Sequence, residues 1–130
     1  MAAYDIEIIL NRQLADCLSI PVFITDTTGN LIFYNEPAEA ILGKRFEETG
    51  EMPVAEWATV FKPLNEQGES LAAEDLPLVK TLSDESPHHK KFFIQSLKGE
   101  KQHISVTSYP IISRSGKFLG AVAIFWKQKS

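Results

Sequence analysis

The chain has 130 residues, of which 44% are hydrophobic and 23% charged, a composition typical of one water-soluble globular domain. Seventeen acidic residues against thirteen lysines and arginines give a net charge of −4, which argues against a nucleic-acid-binding protein with a general positive field. The apolar runs are far shorter than the ~20 residues of a membrane-spanning helix. Because Cys17 is the only cysteine, no intrachain disulfide can form, and we expect a protein of the reducing cytoplasm.

Residues 1–19 predict an amphipathic helix that ends at Ser19, ahead of Pro21. Its apolar residues recur mostly four apart, at Ile6, Leu10, Leu14, Cys17 and Leu18. One interpretation is a helix that covers the sheet of its own chain. The other is a two-fold homodimer in which the helices of two copies also pack together. Cys17 is expected to be a small hydrophobic residue in the packed face.

The next segment predicts a β-hairpin followed by a short helix. Pro21 to Asp26 and Asn30 to Tyr34 are rich in β-branched and aromatic residues, and a tight turn with Gly29 joins them. Asn35 is a candidate N-cap for a helix from Glu36 to Leu42.

Residues 44–68 are the least informative, although Trp57 and Phe61 lie four apart, as on one face of a helical turn. Asp75 to Leu82 predicts another helix, with Pro77 in its first turn. The polar stretch from Ser83 to His89 predicts a solvated loop.

Three strands are predicted in the last part of the chain, forming an antiparallel meander over Lys90 to Leu97, Glu100 to Ile112 and Lys117 to Lys127. A Lys98-Gly99 turn is expected between the first two. The last strand is apolar at both alternating sets of positions, with Leu119, Ala121, Ala123 and Phe125 on one face. A strand of this kind is expected to be central in its sheet and covered on both sides.

In this order of elements the residues resemble the PAS domain family, specifically PAS domains of bacterial sensors. The resemblance runs from Ile20 to about Lys127. It rests on three groups of residues: Ile20 to Asp26 with Gly29, Leu31 to Asn35, Ala38 and Gly43; Gly68 to Leu71 with Glu74 to Leu78 and Leu82; and Lys98-Gly99 with Val106 to Ile111, Gly116 and Leu119 to Val122.

The resemblance implies an α+β fold with a five-stranded antiparallel sheet, short helices on one face and the N-terminal helix on the other. It divides the chain into a dimerisation helix at 1–19 and a PAS domain at 20–130. The implied function is a sensory module of signal transduction, such as a two-component system, which forms a homodimer or contacts an effector such as a histidine kinase. The dimer interface would comprise Ile6, Leu10, Leu14, Leu18, Val22, Ile24, Ile124 and Trp126. Whether the chain acts alone or within a longer sensor stays open.

The resemblance also implies a core that holds a small apolar ligand in some relatives. The candidate ligand-binding residues are Phe23, Thr25, Trp57, Phe61, Leu78, Leu82, Ile94, Ser96, Ile104, Val106, Ser108, Ala123 and Phe125. The alternative is a ligand-free interaction module whose core the aromatic side chains fill.

The sequence does not identify a cofactor, although it disfavours haem and covalently linked flavin, and no metal or catalytic site is expected. Relatives that bind flavin covalently carry a cysteine in a helix facing the pocket, whereas Cys17 precedes the first strand. Relatives that bind haem use a histidine on the last helix before the meander, and this chain has no histidine in that helix. His88, His89 and His103 fit no familiar metal-ligand spacing. A small enzyme of cone-shaped fold is the third possibility, but it would need an acid–base pair inside the core, and the candidate residues include no ionisable group.

Overall fold

The computed structural model of the protein describes residues 6–42, 51, 53, 63–95 and 101–127. The helices are α1 (Ile6–Cys17), α2 (Glu36–Leu42) and α3 (Pro77–Asp84), with a 3-10 turn at Ala73–Asp75 before α3. The strands are β1 (Val22–Thr25), β2 (Leu31–Tyr34), β3 (Pro63–Leu64), β4 (His88–Gln95), β5 (Lys101–Ile112) and β6 (Phe118–Lys127). The described helices include none with the length and apolar character needed to cross a membrane.

The strands form one antiparallel sheet in the order β2-β1-β6-β5-β4-β3. The expected sheet of five strands is therefore corrected to six, because the two-residue strand β3 pairs with the end of β4. The α+β architecture is confirmed. Strand β6 lies between β1 and β5, so the strand that is apolar at both sets of positions is central, as predicted.

Two boundaries around the third helix differ from the prediction. The helix begins at Pro77 and extends to Asp84, where Glu85 adopts a left-handed conformation with φ 57°. The loop predicted up to His89 is wrong, since β4 already begins at His88. Cross-strand pairing of His88 with Ser108 on β5 keeps this polar segment in the sheet. The predicted Lys98-Gly99 turn lies outside the described residues.

The sheet separates two hydrophobic clusters. The inner cluster lies between the sheet and α3, and the outer cluster lies between the sheet and α1. On β1, Phe23 belongs to the inner cluster, whereas Val22 and Ile24 belong to the outer one. This alternation follows from the two-residue period of a strand.

Bulges break that period on two strands. In β2, Ile24 pairs with Phe33 and Thr25 with Leu31, so that Ile32 is an extra residue. Both Ile32 and Phe33 consequently face the outer cluster.

The second bulge lies in β6, where Ile111 pairs with Gly120 and Ile112 with Phe118. Leu119 therefore packs in the outer cluster, and the predicted placement beside Ala121 is wrong. At Gly120, φ is +153° and a Cβ atom would clash with the backbone oxygen of Thr25, so a side chain cannot be accommodated without moving β1.

The face of α1 that packs on the sheet is not the predicted one. Ile8 and Ala15 are buried against the outer cluster, and Leu18 packs against it. The Tyr109 hydroxyl donates a hydrogen bond of 3.0 Å to Oδ1 of Asn11, and burial raises the pKa of Tyr109. A helix with apolar residues on two opposite sides can bury either side, and tertiary contacts select the Ile8 side here.

A single buried side chain, that of Asn35, joins α1, β1 and α2. Its Oδ1 accepts hydrogen bonds from the backbone N–H groups of Val22 (3.0 Å) and Ala38 (3.2 Å), the second of which caps α2 as predicted. Its Nδ2 donates to the backbone oxygens of Ala15 and Ile20, both at 2.9 Å. Two accepted and two donated bonds use the full capacity of an amide side chain.

We expect Asn35→Ala to lower the free energy of unfolding by about 2–4 kcal/mol, because the substitution leaves several buried backbone groups without partners. Asn35→Asp should be similarly destabilising, since a carboxylate would face the two carbonyl oxygens. Urea unfolding followed by circular dichroism measures the effect. Gln13→Ala on the exposed side of α1 is the control, expected within about 0.5 kcal/mol of the parent. Equal stabilities for the Asn35 variants and the parent would contradict this account.

Candidate functional site

The inner cluster brings together most of the side chains predicted to bind a ligand. Those in contact in the cluster are Phe23, Ile94, Ile104, Val106, Ala123, Phe125 and Leu78, with Leu82 packed against it. Thr25 and Ser108 are fully buried. Trp57, Phe61 and Ser96 lie outside the described residues.

Between the sheet and α3 the described side chains enclose a cavity of about 20 Å³. It is lined by Phe23, Leu31, Leu76, Pro77, Leu78, Phe92, Val106, Ala123 and Phe125. A cavity of this size has room for about one water molecule. The rings of Phe23 and Phe125, whose centroids are 4.8 Å apart, occupy much of the remaining space.

The sequence-based list of site residues omitted four residues of this lining. Phe92 lies on the inner face beside Ile94, as the strand parity of the PAS resemblance implies, although it was not named as a ligand contact. Leu31 lies inside because of the bulge in β2. Leu76 and Pro77 enter the lining because α3 begins at Pro77 and presents its first turn to the sheet.

Three hydroxyl groups are buried near this apolar core. Oγ1 of Thr81 on α3 and Oγ of Ser108 on β5 form a hydrogen bond of 2.6 Å, which fastens the helix to the sheet. Oγ1 of Thr25 has no hydrogen-bond partner among the described residues. An unpaired buried hydroxyl carries a desolvation cost, so Thr25 is a candidate contact for a polar atom of a ligand or for a bound water.

The ionisable groups nearest α3 are a surface cluster. Asp84 accepts hydrogen bonds from the backbone N–H and the hydroxyl of Ser86, and Nε2 of His88 lies 2.6 Å from its other oxygen. The contacts with Ser86 and His88 lower the pKa of Asp84. Both Ser86 and Asp84 approach the same ring nitrogen of His88, an arrangement that does not relay a proton from the serine to the acid.

The other histidines contact neighbouring strands. His89 lies between the hydroxyls of Thr107 (2.8 Å from Nδ1) and Ser105 (3.1 Å from Nε2), and His103 stacks on Phe93 with ring centroids 4.5 Å apart. Among the described residues, no group of three or more His, Cys, Asp or Glu side chains could hold a metal ion.

The predicted dimer interface divides into exposed and covered residues. Ile6, Leu10 and Leu14 are 63%, 55% and 54% exposed on the side of α1 that points away from the sheet. Val22 and Ile24 lie under α1 of their own chain and offer no surface to a partner.

The other predicted interface residues lie in the segment that follows α1 and on strand β6. Leu18 and Ile124 are partly buried against the outer cluster. Trp126, expected to be covered, is 39% exposed on the sheet. Cys17 is exposed, so its expected place in the packed face is wrong; that face consists of Ile8 and Ala15 instead.

The two buried threonines should respond in opposite directions to the same substitution. Thr25→Val removes an unpaired hydroxyl at nearly constant shape and should stabilise the protein by about 1 kcal/mol. Thr81→Val leaves the Ser108 hydroxyl unpaired and should destabilise it by about 1–2 kcal/mol. Urea unfolding of both variants measures the difference. If Thr25→Val is as destabilising as Thr81→Val, the Thr25 hydroxyl has a partner in solution.

Comparisons with known proteins agree with this geometry. A family model described as PAS domain matches residues 10–77. No curated protein sequence matches the chain. Among solved structures, the PAS domain of BvgS from Bordetella pertussis is 16% identical over 97% of this chain and 89% of that one, with a TM-score of 0.73.

Two further structures have the same fold. The light-state dimer of the fungal blue-light photoreceptor Vivid is 10% identical over 97% of this chain and 96% of that one, with a TM-score of 0.64. The phage VqmA–DPO complex is 13% identical over 95% of this chain and 53% of that chain, with a TM-score of 0.62. With the family model covering half of the sequence and the strand order and helices in agreement, the chain belongs to the PAS domain family.

Proposed function

We propose that this chain is a sensory and interaction module of signal transduction, without chemistry of its own. It would act by changing its dimer or partner contacts when the state of its inner core changes. The observation that carries this proposal is the alternation along β1. Phe23 and Thr25 face the inner side, whereas Val22 and Ile24 support α1. A displacement of β1 by the core would therefore change the support of α1.

Strand β6 supports the same route from the core to α1. Ala123 pairs with Phe23 and lines the cavity, while its neighbours Val122 and Ile124 pack in or against the outer cluster. Protein interiors are close-packed, so a volume change on one side of a strand displaces the strand rather than being absorbed locally.

A ligand of this module would be small and mainly apolar, because the lining of the cavity is apolar and Thr25 is the buried hydroxyl without a described partner. A ligand larger than a water molecule would displace part of this lining, to which the first turn of α3 contributes. It would regulate the module only if it bound two arrangements of α3 and the sheet with different affinities. The phage VqmA, which this chain matches over 53% of its length, is seen in a complex with DPO.

A ligand-free interaction module is the second candidate. The volume of about 20 Å³ favours it, since a cavity of this size holds about one water molecule. In that case the module would respond to the binding of a partner at its outer surface, such as a histidine kinase or another effector, rather than to a ligand. The cytoplasmic location and the absence of haem and of covalently linked flavin stay predictions.

For dimerisation we propose the exposed side of α1, which carries Ile6, Ile9, Leu10 and Leu14. Four large apolar side chains on one helix face form a patch that water disfavours and that a two-fold copy would cover. Vivid gives a precedent for a dimer of this fold.

The route from the core to α1 predicts the effect of enlarging Ala123. Ala123→Val overpacks the inner cluster at the strand beneath α1, and amide hydrogen exchange in residues 6–17 should accelerate by about tenfold. Val79→Ala is the control, because Val79 packs on the inner cluster from α3 and lies on neither of the strands that support α1. Exchange in α1 that is equal in both variants and the parent would contradict the proposed route.

The α1 patch predicts that Leu10→Asp and Leu14→Asp convert a dimer into a monomer, since each places a charge in the apolar contact. Native mass spectrometry measures the assembly, and any excess mass per chain separates the ligand-binding candidate from the ligand-free one. Ile112→Asp is the matched control, because Ile112 is also exposed but lies at the end of β5. A monomeric parent protein, or variants that remain dimeric, would contradict the α1 interface.

A further inference from the structure

The last turn of α3 is attached to the sheet by two neighbouring polar contacts. The first is the buried hydrogen bond of 2.6 Å between the hydroxyls of Thr81 and Ser108. The second joins Oδ2 of Asp84 to Nε2 of His88, also at 2.6 Å. Thr81 and Asp84 are three residues apart, and residues with this spacing are neighbours on one face of a helix. Both contacts therefore leave α3 from the same side.

Strand pairing explains why the two contacts lie side by side. His88 on β4 and Ser108 on β5 are direct partners in the register of the sheet. The Cβ atoms of such a cross-strand pair are about 5 Å apart, which is close to the spacing of neighbours on a helix face. The helix pair Thr81 and Asp84 thus meets the strand pair Ser108 and His88 as one matched set. We call these four residues the α3 clasp.

The two halves of the clasp differ in burial and in chemistry. Thr81 and Ser108 are fully buried, and their hydroxyls are neutral. The side chains of Asp84 and His88 are 50% and 27% exposed, so both can exchange protons with the solvent. Only the outer half of the clasp can therefore respond to pH.

The carboxylate of Asp84 is also held by the turn that follows α3. Its Oδ1 accepts hydrogen bonds from the backbone N–H of Ser86 (3.0 Å) and from the Ser86 hydroxyl (2.8 Å). The hydrogen bond from the Ser86 hydroxyl and the contact with His88 lower the pKa of Asp84, which keeps its carboxylate charged where histidines titrate. The intervening Glu85 has a φ of 57°, a left-handed conformation that is uncommon for a residue other than glycine. The turn thus orients Asp84 toward β4 whatever the charge of His88.

The charged surroundings of His88 come from the 3-10 turn, α3 and β4. They comprise Glu74, Lys80, Asp84, Glu85 and Lys90. From β5 and β6 the neighbouring residues are Ser108 and Ala123, which carry no charge. Glutamate and lysine side chains ordinarily keep their charges between pH 5 and 8, whereas histidine gains or loses a proton in this range. Among the described residues around the clasp, His88 is therefore the one whose charge changes.

We propose that the α3 clasp is a pH-sensitive latch, in which a proton on His88 tightens the last turn of α3 against β4. Protonated His88 donates a charge-assisted hydrogen bond to Asp84, whereas neutral His88 offers only an uncharged donor. The latch is tightest near pH 5–6 and loosens as the pH rises toward 8. Because α3 has only eight residues and its first turn lines the cavity, the state of the latch also affects how firmly that lining is held. The latch requires neither a ligand nor a dimer, so it goes beyond the proposed sensory role.

Amide hydrogen exchange of the full chain, followed by NMR, tests the latch. Protection factors are compared, because they correct for the intrinsic pH dependence of exchange. Protection of the amides from Lys80 to Glu85 should be about twofold to fivefold greater near pH 5.5 than near pH 8, the range expected for a half-exposed ion pair. His88→Gln keeps an N–H donor, and Asp84→Asn keeps an acceptor for Ser86. Each substitution should remove the pH dependence.

His89→Gln is the matched control. His89 points to the opposite face of β4, where it contacts the hydroxyls of Ser105 and Thr107, and its substitution should leave the pH dependence intact. Thr81→Val should lower protection by the same factor at both pH values, since it breaks the half of the clasp that does not titrate. Circular dichroism checks that each variant is folded. Equal protection of the parent at both pH values, a pH dependence that survives His88→Gln or Asp84→Asn, or one that is lost in His89→Gln would each overturn the proposal.

Discussion

The hydrogen bonds that converge on the side chain of Asn35 hold three elements in one arrangement. Asn35 follows β2 directly, caps α2, accepts from β1 and donates to the last turn of α1. Because the amide is buried and uses all its donors and acceptors, α1 cannot rotate or slide without leaving polar groups unpaired. The choice of the Ile8 and Ala15 face for packing, and the exposure of the opposite apolar face, depend on this constraint.

The central strands then couple the two sides of the sheet. Strands β1 and β6 have side chains in both hydrophobic clusters, so α1 and α3 rest on opposite faces of the same backbone. The bulges of β2 and β6 modify which residues reach each side: Leu31 is directed into the cavity lining, and Leu119 is directed under α1. The close approach of Gly120 to Thr25 fixes β6 against β1 at the second bulge. The helices and strands of this domain are therefore mechanically coupled, as expected of a domain that transmits a change in packing.

The surface of the domain includes an apolar region on the outer side of α1. The exposed side of α1 is apolar, with Ile6, Leu10 and Leu14, and suits a second copy of the same helix.

Helix α2 from Glu36 to Leu42 and the central position of β6 could be predicted from turn residues and alternation, which are local signals. The α+β fold and the inward direction of Phe23, Val106 and Phe125 followed from the resemblance to the PAS family. Local signals do not specify which apolar side of α1 is buried, that His88 and His89 continue a strand, or that bulges redirect Leu31 and Leu119. These features depend on pairing and packing between residues distant in the chain, such as Asn35 with Ala15 and Gly120 with Ile111. The sequence by itself thus determined the elements and the apolar character of the core. The tertiary structure decided which side chains line the small cavity and which surfaces stay exposed. The physical reason is that only packing across the sheet selects among faces of equal hydrophobicity.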